Sequence, residues 1–208
     1  MKKLNELRLG SSVIELLIPH RRPFLMVDCI SSYERTPVPH LVAGRYISAN
    51  EEIFRGHFPS LYLWPGTYTQ EGLGQSCLLL AVLLRFQRGW EAQGGNPEDV
   101  LAALRNLELG FRLHPGYRPN VSAPLFEALR RLSTQVGVSG SIEMKFLAPV
   151  FPGRRLDYDV RLTLEIGEQL RFEVAALVEE TTVARGVMTA VNIPIMPVLG
   201  GREDGGSS

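Results

Sequence analysis

The sequence has little lysine: only Lys2, Lys3 and Lys145 stand among its 22 Lys and Arg residues, and 22 Asp and Glu residues bring the formal net charge to +0. A chain without net charge has no field that draws nucleic acid or an anionic membrane to it, so an acidic partner must be met by a local patch. Cysteine is as scarce. Cys29 and Cys77 both lie in apolar segments, which predicts two buried, reduced thiols in a reducing cytoplasm and no disulfide. Long hydrophobic runs are missing too. The longest, Cys77 to Leu84, falls far short of the roughly 20 residues that cross a bilayer. The start, MKKLNELRLGSS, has neither the apolar core nor the small-residue cleavage site of an export signal. His20, His40 and His114 are far apart and lack the spacing of a zinc site. No G-x-S-x-G elbow and no phosphate-binding glycine loop occurs. The expectation is a chain that binds no metal, no nucleic acid and no membrane.

What is present is enough apolar material for one substantial core: 45% of the 208 residues are hydrophobic. Residues 1–199 are expected to form a single domain, and the polar, glycine-rich residues 200–208 a disordered tail. Leu156, Tyr158, Val160, Leu162 and Leu164 alternate with polar residues, as in a strand with one wet face. Leu170 to Val178 repeats the pattern after a turn at Gly167, and Ile142, Met144 and Phe146 show it upstream. Short turns between these strands predict an antiparallel sheet. A further strand is expected from Thr182 to about Asn192, with N-terminal ones at Leu25 to Ile30 and Leu41 to Ser48. Between them, Pro65 to Phe86 opens with Pro-Gly and becomes apolar on nearly every side, as a buried helix does. Residues from about 86 to 139 read as a helical insertion. One helix starts at Asn96-Pro97-Glu98-Asp99; another is expected from Ser122, with Leu125, Leu129, Leu132 and Val136 on its apolar face, ending at Gly137.

The candidate chemistry lies before and within the buried helix. His57, in Arg55-Gly56-His57-Phe58-Pro59, stands at the helix entrance. Glu71 follows within its first two turns, where an ionised carboxylate is costly to bury. It is therefore either paired, or protonated and fit to serve as a general acid, or simply a carboxylate favoured by the helix dipole. Gln75, one turn on, can hold it in place or face solvent or a second subunit. Gly72 and Gly74 disfavour helix by up to roughly 1 kcal/mol each relative to alanine, which points to a close neighbour at this turn.

Three blocks resemble a known family. They are Pro19-His20-Arg21-Arg22-Pro23-Phe24-Leu25-Met26-Val27-Asp28; Gly56-His57-Phe58-Pro59 with Trp64-Pro65-Gly66 and Glu71 at the matching interval; and Lys145-Phe146 through Pro149-Val150 to Pro152-Gly153. They are similar to the FabZ-type 3-hydroxyacyl-acyl-carrier-protein dehydratases. The resemblance implies an α+β hotdog fold, an antiparallel sheet wrapped around a long central helix. It also implies a homodimer, or a larger assembly of dimers, in which His57 of one subunit meets Glu71 of the other at a tunnel along the central helices. His57 is then the expected base, Glu71 the acid and the Gly66 N–H the donor to the thioester oxygen, with Phe58, Trp64, Pro65, Tyr68 and Gln75 around the substrate. No cofactor is expected beyond the phosphopantetheine arm that the substrate carries, because the thioester is itself the electron sink. The partner is an acyl carrier protein, docked on Arg21-Arg22, Arg85 with Arg88, Arg130-Arg131 or Arg154-Arg155.

The sequence also departs from the family's pattern. Trp64 replaces the usual methionine of Met-Pro-Gly, Thr67, Tyr68 and Thr69 replace a more aliphatic helix start, and the insertion is long. The altered Trp64 and Tyr68 region leans toward a specialised lipid or polyketide substrate, and the insertion is open to reading as a lid, a longer tunnel or a docking surface. A dehydratase/isomerase, a thioesterase and a non-catalytic acyl-binding subunit are the alternatives, although isomerising relatives usually carry aspartate where Glu71 stands.

Overall fold

The computed structural model describes residues 6–118 and 135–194. Strand β1 (Glu6–Gly10) runs directly into α1 (Ser11–Leu17) and is followed by β2 (Cys29–Glu34) and β3 (His40–Ile47). The central helix α2 (Gly66–Glu91) and a second long helix α3 (Pro97–Leu113) come next, then β4 (Gln135–Phe146), β5 (Arg154–Ile166), β6 (Gln169–Val178) and β7 (Thr181–Pro194). The strands form one antiparallel sheet in the order β1-β2-β3-β5-β6-β7-β4. Leu156, Tyr158 and Val160 of β5 and Leu41 and Ala43 of β3 are fully buried, as are Leu73, Leu79, Leu80 and Leu83 of α2. The sheet thus closes its apolar face over one long helix. This is the hotdog arrangement.

Several elements depart from the sequence reading. No strand forms over Leu25 to Asp28; β2 starts at Cys29. The backbone there is satisfied piecemeal instead of by a ladder: Met26 N donates to Gln75 Oε1 (2.8 Å), Leu25 N to Arg21 O (2.9 Å) and Asp28 N to Gly44 O (2.8 Å), while Phe24 O just before accepts from Gln75 Nε2 (2.8 Å). The central helix continues past Phe86 to Glu91. Gln135 to Gly137 belong to β4, not to the end of a helix, because their backbones pair with Asn192 to Pro194; the rest of that expected helix and the 200–208 tail lie outside the described residues. β4 pairs with β7 rather than with its chain neighbour β5, so the alternation was legible but the partner was not. β1 and α1 carried no signal that the sequence reading used. The helix start at Asn96 is as expected: its side chain accepts from Glu98 N at 3.0 Å, with Pro97 in the first turn.

Candidate active site

His57 follows a short 3-10 turn (Glu52–Arg55) that ends at Gly56. Its ring Nδ1 is 2.8 Å from Leu63 O. A carbonyl only accepts, so Nδ1 carries the proton and the lone pair sits on Nε2. The ring stacks on exposed Phe58 at 4.3 Å between centroids. The half-buried imidazole is thereby fixed in tautomer and in plane.

Trp64, Pro65 and Gly66 make the entrance to α2. Trp64 N donates to Val150 O (2.8 Å), and Pro65 stands at the helix N-cap without a capping side chain. The first N–H groups of α2 are therefore left to other acceptors. At Gly66 a Cβ would lie 2.9 Å from Phe146 Cε1, so glycine lets that ring close over the helix start. The Trp64 indole is buried, with the Arg45 guanidinium 5.7 Å from its centroid and Phe54 and Tyr68 edge-on at 6.3 and 5.4 Å. It faces the core rather than solvent. Arg45 is itself buried and ion-paired to Asp28 (3.1 Å) and Glu51 (2.6 Å).

Glu71 is only partly buried, with 31% of its side chain exposed. Its hydrogen-bond partner one turn on is Gln75, whose Nε2 donates to Glu71 Oε1 at 2.9 Å. Gln75 is buried and saturated, because its Oε1 takes Met26 N and its Nε2 also reaches Phe24 O. Among the described residues no hydrogen bond or ion pair joins His57 to Glu71 within the chain. The histidine nearest Glu71 is His20, with Nε2 3.8 Å from Glu71 Oε1. Sequence reading set His20 aside for want of metal spacing; its place in the first motif block was the available signal. Arg45 and Tyr158 were missed as well, although Arg45 shares an inward strand face with Leu41 and Ala43, where a charge is unusual.

Burial lowers the pKa of His20 below 6.5, with Arg21 adding to the effect and Glu71 opposing it. The folded chain thus resists a proton that the unfolded chain binds, so this contribution to stability is full above pH 6.5 and is lost as the pH falls through the lowered value. The denaturation midpoint of the wild type is expected to fall between about pH 7.5 and about pH 5.5, and His20→Gln to fall less. Equal slopes for the two proteins would show that His20 contributes nothing.

The two glycines after Glu71 differ. Gly72 is pressed by Tyr158, whereas a Cβ on Gly74 would meet nothing within 4 Å. From Gly74 a narrow apolar space of about 40 Å³ runs beside Cys77, Leu78 and Ala81 of α2 and under Phe172 and Met188 of the sheet. A wider hollow of about 570 Å³ is lined only by strand residues of mixed charge, such as Lys145, Asp159, Arg161 and Glu173, and holds none of the candidate residues. Cys77 is buried and Cys29 half-buried, both free. Several of the arginines considered for docking are already paired: Arg22 with Asp28, Arg88 with Glu165, Arg154 with Glu179 and Arg155 with Asp157. Arg130-Arg131 lies outside the described residues. No helix among those described is long and apolar enough to cross a membrane.

Fold and site together define a hotdog-fold protein with a histidine before its central helix and a carboxylate within it. The FabA-like domain model matches residues 18–105. A 3-hydroxyacyl-[acyl-carrier-protein] dehydratase FabZ from Anaeromyxobacter sp. is 30% identical over 178 residues, 86% of this chain and 86% of that protein. A protein of the same name from Vibrio atlanticus is 32% identical over 126 residues, 61% of this chain and 79% of its own length. Another, from Neisseria meningitidis, is 38% identical over 94 residues, and the match spans 56% of that protein. The chain belongs to the FabZ 3-hydroxyacyl-[acyl-carrier-protein] dehydratase family. Among solved structures, an HP0420-homologue from Helicobacter felis superposes with a TM-score of 0.50 at 7% identity, covering 90% of this chain and 89% of that one, a likeness of fold alone.

Proposed function

We propose that this protein dehydrates a 3-hydroxyacyl thioester, carried on an acyl carrier protein, to the trans-2-enoyl thioester, with His57 as base and Glu71 as acid. The observation that carries this reading is the 2.8 Å contact of His57 Nδ1 with Leu63 O, in which Nδ1–H donates to the carbonyl and Nε2 of the neutral ring is the basic atom. In that reading Nε2 takes the proton alpha to the thioester carbonyl, and the electron pair forms the C=C bond as the C–O bond at the beta carbon breaks. Protonated Glu71 gives its proton to the departing oxygen, so water leaves rather than hydroxide. Charge building on the carbonyl oxygen is favoured at the uncapped start of α2, where the Gly66 N–H donates. Each cycle ends when the proton on His57 is lost and Glu71 is reprotonated. The thioester is the electron sink, so the reaction calls for no metal or redox group, and phosphopantetheine arrives with the substrate.

The acyl chain is assigned to the apolar space that starts at Gly74, and Phe58, Pro65, Trp64 and Tyr68 to the wall at its entrance. A homodimer supplies the pairing of His57 with Glu71 that one chain lacks. β4 supports this, as among the described residues it is the last strand of the sheet, and it exposes Ile142 and Phe146. Fatty acid synthesis is the primary context and a specialised lipid or polyketide the second, in a reducing cytoplasm that suits two free cysteines.

The test is turnover of 3-hydroxyacyl thioesters of several chain lengths, followed by mass. Loss of water with the thioester intact is the expected result. Release of free thiol would make the protein a thioesterase, and a cis-3-enoyl product a dehydratase/isomerase.

A further inference from the structure

Tyr158 lies in β5 between Leu156 and Val160, all three fully buried. Its hydroxyl has no hydrogen-bond partner among the described residues, and burial pushes the phenol far above its ordinary range. The end of its ring packs against Gly72 of α2. A Cβ on Gly72 would lie 2.3 Å from both Cζ and Oη of Tyr158 and 2.7 Å from Cε2. Ordinary contact begins at 3.4 Å, so any side chain at position 72 would have to move helix and ring apart by about 1 Å.

Gly72 adjoins Glu71 in the same turn. Ser76 Oγ donates to Gly72 O (2.7 Å), and Gln75 ties the next turn to Met26 and Phe24. These first turns are thus tied through Gln75 to Met26 and Phe24 and meet Tyr158 at Gly72.

We propose that Tyr158 is a positioning residue for Glu71, acting through the notch left by Gly72 and setting how deeply the first turns of α2 seat on the sheet. The proposal rests on the reading of Glu71 as the acid. A displacement of about 1 Å at a reacting group costs on the order of 10²-fold in rate, which is why a packing contact behind the helix reaches the chemistry.

The experiment compares the wild type, Gly72→Ala and the double variant Gly72→Ala/Tyr158→Met, methionine being a shorter, adaptable apolar side chain that makes room for the added methyl. Two quantities are read: kcat and KM on a 3-hydroxyacyl thioester, and hydrogen-exchange protection of the Met26 amide, whose bond to Gln75 reports the seating of α2. For Gly72→Ala, kcat is expected to fall by about 10- to 100-fold with KM within about 2-fold, and Met26 protection to fall with it. In the double variant both are expected to recover to within about 3-fold of wild type. Wild-type kcat and Met26 protection in Gly72→Ala would overturn the proposal, as would a double variant no better than the single one or one that does not fold. If the wild type turns over no thioester, the reading of Glu71 falls, and Met26 protection still decides whether the notch seats the helix.

Discussion

Replacing Glu71 with glutamine is expected to lower kcat by about 10²- to 10⁴-fold, with KM changed little. The amide keeps the size of the side chain and a carbonyl oxygen that still accepts from Gln75 Nε2, the bond seen at 2.9 Å. It cannot hand a proton to the leaving oxygen, so only the acid step is removed. His57→Ala is expected to lose a similar factor because the pinned Nε2 base disappears. The two variants also test the shared site. Mixed and allowed to exchange subunits, they should regain about a quarter of wild-type activity. Half of the dimers formed at random are mixed, and each contains one intact pair of His57 and Glu71. Activity that stays at the level of the separate variants would mean that one chain supplies both groups.

Gln75→Leu is expected to be the most damaging change outside the catalytic pair. It removes the acceptor of Met26 N, the donor to Phe24 O and the donor to Glu71 at once. Met26 is buried, so its orphaned N–H alone costs about 1–3 kcal/mol. That corresponds to a fall in Tm of roughly 2–12 °C for a chain of this size. Gln75→Glu separates stability from chemistry. Its carboxylate still accepts from Met26 N but donates to neither Phe24 O nor Glu71, so the Glu71 carboxyl loses the partner that orients it, and kcat is expected to fall while Tm stays nearer the wild type than in the leucine variant. Thermal melts and steady-state kinetics on both variants check this, and a leucine variant with wild-type Tm would show that water replaces the lost partners.

The parts of the site legible in the sequence were those that follow from local order. Gly56-His57-Phe58-Pro59, Trp64-Pro65-Gly66 and Glu71 lie along one short stretch, and the helix that begins at Gly66 fixes Gln75 one turn beyond Glu71 by its own geometry. Alternation in 156–164 and 170–178 likewise marked β5 and β6. Less legible were the contacts that join distant stretches. Leu25 to Asp28 reads as a strand because it is apolar, yet the partner of its Met26 N–H is the side chain of Gln75, 49 residues away. The glycine pair after Glu71 announced a close neighbour, but Gly74 faces open space and Gly72 alone meets Tyr158.

The sequence by itself determined the class of fold and the family and put His57 and Glu71 forward as the candidate pair, because each depends on residue types at short, fixed intervals that secondary structure converts directly into position. The tertiary structure alone decided that β4 closes the sheet beside β7, that His20 rather than His57 faces Glu71 within one chain, and that Arg45 lies over Trp64 and Tyr158 against Gly72. Those outcomes depend on which long-range pairings bury the most apolar surface while leaving the fewest polar groups unsatisfied, a competition among segments far apart in the chain that no single stretch records.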